Sequence, residues 1–412
     1  MKQGAPMLVT NGRIVTPGGV REGGLRLADG KVSKVLDNPS DDDDGAVELD
    51  AGGRLVAPAI VDLAVFAIDK PAFHRGGIVR AGLMPDDDLP LDHPARIRFM
   101  AQSGKPGLWV HPLAAATAGL QGEQLAEIAL MQEAGARAIA TGRRWIADSG
   151  VMLRLLQYAA MLDLVVITHA EDGGLAGSAA ATAGEMATRL GLPSAPAEAE
   201  TLALARDIAL AELTGARLHA RQVTTRAGLD LVRAAKARGV AVTAGVTPAH
   251  FMLSDLALGD FATFARLSPP LRSEDDRQAV VEALGDGTID VVCSGHDPRG
   301  PEDKNLPFTD AAPGMVGAET LLALVLAQVR DGVIDLPRAF DLLARNPARL
   351  LGIETGELAE GKEADVAVID PDAPWIVAGS TSAAAAGNTP FDRQPMQGRV
   401  THLFKGGMAI DL

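Results

Sequence analysis

Residues 55–66 read LVAPAIVDLAVF. The run is apolar, rich in Val, Leu and Ala, and interrupted by a proline only near its start. Such a run predicts a strand buried on both faces, as in a parallel sheet. Alternate residues of a strand share a face, so Asp62, Ala64 and Phe66 point the same way. In a (β/α)8 barrel the C-terminal tip of each strand is where reactive groups project. One carboxylate, one methyl and one phenyl ring at such a tip do not make a metal site.

The texture changes on either side of this strand. Residues 7–56 turn often, at Asn11-Gly12, Ala28-Asp29-Gly30 and Gly52-Gly53, and predict short antiparallel strands. Asp41–Asp44 reads as a solvated loop tip. From Ala59 onward apolar strands alternate with Ala-rich helical stretches. Eight strands are expected: Ile60–Phe66, Gly77–Leu83, Gly107–His111, Ala136–Ala140, Leu164–His169, Ala216–Val223, Val240–Val246 and Ile289–Gly295. Helical spacing of apolar residues fills most gaps, as in Glu198–Thr214 and Ala227–Arg238. Repeated β-then-α units imply a parallel sheet, and eight of them imply closure into a TIM barrel. The gap Ala67–Gly76 is short for a helical crossover, so the first barrel helix is expected to be missing or reduced to a loop. Near the end, Ala364–Ile369 and the hairpin Val400–Phe404/Met408–Asp411 return to an exposed β pattern. The expected organisation is therefore a barrel over 57–355 with a small β-sandwich built from both ends, 1–56 and 356–412. Ser380–Gly387 reads as a mobile small-residue linker.

Composition excludes several classes. Aromatics are 3% of 412 residues and the net charge is −15, which argues against nucleic-acid binding. No stretch reaches the roughly 18 apolar residues of a membrane span. The single cysteine, Cys293, suits a reducing cytoplasm and reads as an inert buried thiol.

The strand tips offer few ligands. The fifth ends at Thr168-His169-Ala170-Glu171-Asp172, the sixth at Arg221-Gln222-Val223 and the eighth at Cys293-Ser294-Gly295-His296. The eight histidines contain neither a strand HxH pair nor a helical HxxxH. His169 reads as a hydrogen-bonded core histidine, with a one-metal site as the functional alternative. His296-Asp297-Pro298-Arg299 reads as a structured loop that could take an anion. Asp86–Asp88 reads as a solvated loop that could hold a metal. Arg143-Arg144-Trp145 is either a surface loop or a stacking surface for a partner.

Several stretches, in order, carry a resemblance: APAIVDLAVF (57–66), GLMPDDDLPLD (82–92), HAEDGGLA (169–176), GLPSAPAEAETLALARDIALAELTGARLH (191–219), SPPLRSEDDR (268–277), PFTDAAPGMVGAET (307–320), RNPARLLG (345–352) and NTPFDRQPMQGRV (388–400). Over nearly its whole length the chain resembles the dihydroorotase family of the amidohydrolase superfamily. The resemblance implies two divalent metals held by an HxH pair, a bridging group after the fourth strand, two histidines and a catalytic aspartate. These positions fall on Ala64, Phe66, Thr141, His169, Gln222 and Gly295, of which only His169 keeps its ligand. Two substrate-binding positions fall on Ile68 and Asp86. Asp62 and His296 complete the remnant pocket.

The expectation is thus a pseudoenzyme with no catalytic residue and no cofactor, the base being lost at Gly295. The family includes a noncatalytic chain that accompanies bacterial aspartate carbamoyltransferase, and the AVF replacement of HxH resembles it. This implies a cytoplasmic homodimer that partners the carbamoyltransferase catalytic chain in pyrimidine biosynthesis. Two alternatives stand beside it. One is an active zinc-dependent cyclic-amide hydrolase rearranged around His169 with Asp86 or Asp172. The other is a ligand-binding regulatory module.

Overall fold

The computed structural model describes residues 6–37, 45–86 and 89–412. The acidic run Asp41–Asp44 and two residues of the Asp86–Asp88 loop, Asp87 and Asp88, lie outside the described residues.

The chain begins with five short strands, β1 (Met7–Thr16), β2 (Gly19–Ala28), β3 (Lys31–Leu36), β4 (Val47–Asp50) and β5 (Leu55–Pro58). The barrel strands follow: β6 (Ile60–Val65), β7 (Ile78–Leu83), β8 (Trp109–Pro112), β9 (Ala114–Ala115), β10 (Ile139–Ala140) and β11 (Val166–Thr168). A small parallel ladder, β12 (Ala181–Thr182) with β13 (Ser194–Ala195), lies outside the barrel sheets. The barrel then resumes with β14 (Leu218–Ala220), β15 (Val242–Val246) and β16 (Val291–Val292). The chain returns to the first sheet through β17 (Val366–Ile376), β18 (Pro395–Lys405) and β19 (Met408–Ile410).

All barrel pairings are parallel, in the orders β6-β7-β8 and β9-β10-β11-β14-β15-β16. The two arcs meet within the third strand, where Leu113 separates β8 from β9 and its N–H donates to Leu83 O at 2.9 Å. The other seam closes where Phe66 N–H donates to His296 O at 2.9 Å. Seven of the eight apolar runs named from the sequence contain a barrel strand, because Val, Ile and Ala pack a pleated surface buried on both sides; the third, Gly107–His111, stops one residue short of the end of β8 and misses β9. Val61, Leu63, Ala64, Ala138, Ala140, Val165, Ile167, Val291 and Cys293 form the inner core.

The two chain ends form one 8-stranded sheet, β19-β18-β17-β5-β1-β2-β3 with β4 on β1. It encloses its own core of Val9, Leu25, Val56, Val368 and Phe404.

Two expectations need correction. The gap after the first strand does hold a helix, Lys70–Gly76. Asp69 caps it, Pro71 occupies its first turn, and Gly77 ends it in a left-handed conformation at φ 81°. Those signals compress a crossover into seven helical residues. Ser380–Gly387 is not a loose linker. Ser382 Oγ bonds Glu319, Ala383 N–H donates to Glu319 at 2.7 Å, and Ala385 N–H donates to Asp69 at 2.6 Å. Small side chains let this backbone approach the half-buried Glu319 and the buried Asp69. Among the described residues no helix is long and apolar enough to cross a membrane.

Candidate functional site

The mouth of the barrel is built on the tips of β6, β10, β11, β14 and β16. Asp62 is fully buried, and its Oδ1 accepts from Ser294 N–H at 2.9 Å. Burial pushes its carboxyl above the usual range, with Ser294 pulling against it. The inward carboxylate therefore splices the first strand to the eighth rather than serving a metal. Ala64 lies in the inner core, and Phe66 stands above it at the rim.

Two guanidiniums crowd Phe66. Arg143 lies 3.6 Å from the ring centroid and Arg221 5.2 Å from it. A local turn turns Arg143 inward. Gly142 has φ +78°, and a β-carbon there would stand 2.7 Å from Asp86 Oδ1. The same carboxylate oxygen accepts from Arg143 N–H at 2.7 Å. Arg143 then pairs with Asp297 at 2.9 Å. Arg221 is positioned from the helix Glu198–Thr214, whose buried Glu200 accepts from the N–H groups of Thr224 and Thr225 at 3.0 and 2.9 Å. That clamp fixes the chain just beyond Arg221 and Gln222.

His169 is buried between Arg221 and Glu171. Arg221 Nη2 lies 3.1 Å from His169 Nδ1, and His169 Nε2 lies 3.4 Å from Glu171 Oε2. A guanidinium has no acceptor, so Nδ1 must accept and the ring proton sits on Nε2, toward Glu171. Burial lowers the pKa of this imidazole, with Glu171 opposing. Burial also draws Arg221 down to about 10, which leaves it charged at neutral pH. Both nitrogens of the one retained histidine are thus engaged.

The remaining sequence-predicted positions are spread around this pair. Thr141 Oγ1 accepts from His169 N–H at 3.1 Å, a structural role. Gln222 is buried with Oε1 unpartnered. Gly295 has φ +60°, and a β-carbon there would meet Thr247 Cγ2 at 2.9 Å. Ile68 packs half-buried on the main core and does not line the mouth. His296 is fully buried; its Nδ1 accepts from Ala318 N–H at 3.4 Å, and its ring meets Phe73 edge-on at 5.1 Å. The loop after it is held internally, with Asn388 Nδ2 donating to Asp297 O at 3.1 Å. Burial pushes the Cys293 thiol up to about 12, as befits an inert group.

The Arg143-Arg144-Trp145 patch is not a free stacking surface. Arg143 turns into the mouth, and Arg206 stacks on Trp145 at 3.7 Å while the indole N–H donates to Asp207 at 3.3 Å. Sequence reasoning missed the part Arg221 plays. Its signal was a basic residue directly before a lost ligand, on a strand otherwise buried.

This donor set does not fit a binuclear metal centre. The ligand positions carry a methyl, a phenyl, a hydroxyl, an amide, a glycine and one engaged imidazole, with two guanidiniums among them. Among the described residues no three His, Cys, Asp or Glu side chains are grouped to hold a metal ion.

Residues 85–227 match the model of the dihydro-orotase-like family. A protein named dihydroorotase from Pelotomaculum thermopropionicum is 39% identical, over 98% of this chain and 98% of its own. Another, from Syntrophotalea carbinolica, is 36% identical over 95% and 96%. Among solved structures, the L-hydantoinase (dihydropyrimidinase) of Arthrobacter aurescens superposes with a TM-score of 0.87 at 25% identity, covering 98% of this chain and 95% of that one. Sequence stretches, barrel topology and relatives agree, and this chain belongs to the dihydroorotase family of the amidohydrolase superfamily.

Proposed function

We propose that this chain is a noncatalytic member of its family that acts as a structural subunit of an aspartate carbamoyltransferase complex in pyrimidine biosynthesis. One observation carries the reading: two guanidiniums stand among the positions that would hold metals, one of them 3.1 Å from His169. A fixed cation at that range opposes a divalent ion strongly in a buried site. Without a bound metal, water stays far too weak an acid to give hydroxide near neutral pH, and the hydrolytic nucleophile is lost. The glycine at 295 removes the proton acceptor as well. The barrel strands remain buried in a continuous core, which suits a rigid presenting surface. In this reading the chain works as a cytoplasmic dimer that ties carbamoyltransferase trimers together.

The names of its relatives favour a second reading, an active dihydroorotase with a rearranged zinc site. Its candidate carboxylates are each partly engaged, though Asp86 Oδ2 is buried without a partner. Asp86 Oδ1 accepts from Arg143 N–H, and Asp172 caps the turn Gly173–Ala176 through Gly174 N–H at 2.8 Å.

Elemental analysis of protein purified without chelator, together with turnover of dihydroorotate, separates the two. The expected result is less than a tenth of an equivalent of zinc and no turnover; two tightly held equivalents with turnover would establish the hydrolase instead. Mixed with the carbamoyltransferase at micromolar concentration, the chain is expected to form one large species by light scattering. Two separate peaks would remove the scaffold role.

A further inference from the structure

The barrel mouth has a polarity opposite to that of the rest of the molecule. The chain carries −15 overall. Two adjoining cavities, of about 30 and 550 Å3, share Arg143 at their border. Among the described residues lining them, four guanidiniums (Arg143, Arg144, Arg221, Arg266) face two carboxylates (Glu171, Asp297). Both carboxylates already have partners. Asp297 is held by Arg143 at 2.9 Å and Arg299 at 3.2 Å, and Glu171 by His169 at 3.4 Å and Arg272 at 3.8 Å.

Arg221 is left over. It is 2% exposed, its one hydrogen bond goes to His169, and its Nε is buried with no acceptor; Asp86 and Asp297 favour its charge from nearby, but neither bonds it. Arg266 Nε is in the same condition. A guanidinium offers five donors in a planar fork that matches a carboxylate with two parallel bonds. A buried cation without an anion is costly, and the cost is relieved when an anion arrives.

We infer that the barrel mouth is a receptor for a small carboxylate-bearing molecule, whose carboxylate Arg221 takes where the family's metals would stand. The inner cavity holds a group of about two water positions, since one water needs roughly 10–15 Å3. That is room for the two oxygens of a carboxylate. Gln222 lines the same cavity with an orphaned Oε1; turned over, its amide presents an N–H to the incoming oxygen. The body of the ligand extends into the outer cavity, beside Arg144 and Trp145. This inference rests on the metal-free reading of the mouth and is independent of the scaffold role.

The test uses the full-length, chelator-treated protein with malonate and succinate, and with chloride and inorganic phosphate as comparators. Thermal shift and calorimetry are expected to give saturable binding of a dicarboxylate with Kd at or below the millimolar range. Chloride and phosphate should bind at least tenfold more weakly. Arg221→Met should weaken carboxylate binding at least tenfold while raising the melting temperature of the ligand-free protein, a pairing that a merely structural arginine would not give. Should that variant not fold, Arg221→Lys, which keeps the charge and loses the fork, should cost at least threefold. No saturable response to either dicarboxylate, unchanged affinity in these variants, or a preference for phosphate would each overturn the inference. Zinc uptake, read separately by emission spectroscopy, would overturn the metal-free reading; failed carboxylate binding in protein that takes up no zinc overturns the receptor alone.

Discussion

At the scale of single residues, position 295 offers a test of the noncatalytic reading of this site. Gly295 has φ +60°, and its missing β-carbon would lie 2.9 Å from Thr247 Cγ2. Gly295→Asp, which would put a carboxylate where the family resemblance implies a base, should therefore destabilise the chain by roughly 1–3 kcal/mol. In a Thr247→Ser background, which removes Cγ2, the cost should fall by about half. Urea denaturation of the four proteins of this cycle checks it; a Gly295→Asp variant as stable as the parent would mean that the loop shifts freely. The six positions that the resemblance assigns to metal ligands, five of them without a ligand side chain here, could be named from the sequence because they sit at fixed offsets within recognisable stretches. What filled them could not be. Arg143 and Arg221 come from loops 78 residues apart in the chain, and their meeting over Phe66 depends on a turn at Gly142 that only the folded backbone displays.

At the scale of elements, the strands were the most legible part, since runs of Val, Ile and Ala that are buried on both faces advertise themselves. The helix Lys70–Gly76 was not, because its ten-residue gap is shorter than an ordinary crossover and its stability comes from contacts distant in sequence. Asp69 is the centre of these. Its Oδ1 caps Ala72 N–H at 3.5 Å, its Oδ2 accepts from Ala385 N–H at 2.6 Å, and the latter lies 3.4 Å from His296 Nε2. One carboxylate thus holds a helix start, a small-residue segment and a buried histidine. Asp69→Ala should cost about 1–2 kcal/mol, a lost cap plus the lost hydrogen bond to Ala385 N–H. Hydrogen exchange should quicken at Ala385 and through the helix Lys70–Gly76 while the strand Val242–Val246 stays protected. Uniform loss of protection across all three would show a global effect instead of a local clamp.

At the scale of the molecule, both chain ends were expected in one β unit from their turn-rich texture, but nothing in the sequence disclosed how that unit is tied to the barrel. The tie is ionic and buried. Arg80 of β7, 2% exposed, donates through Nε to Asp365 Oδ2 at 2.6 Å and pairs with Glu363; Asp365 lies 285 residues further along. Lys405 of β18 lies 3.1 Å from both carboxylates, and Arg80 stands 4.8 Å from the Trp109 ring. Burial raises the pKa of the Asp365 carboxyl, and Arg80 and Lys405 more than reverse that. Removing one partner strands the other in a low-dielectric seam, which typically costs 3–5 kcal/mol, whereas removing both recovers much of it. Arg80→Met is therefore expected to lose about 3–5 kcal/mol by urea denaturation. Arg80→Met with Asp365→Leu should lose less than the sum of the two single changes, by at least ~1 kcal/mol. Strict additivity would mean that Lys405 and Glu363 carry the seam, and that the β sheet is anchored by its apolar face on the barrel alone.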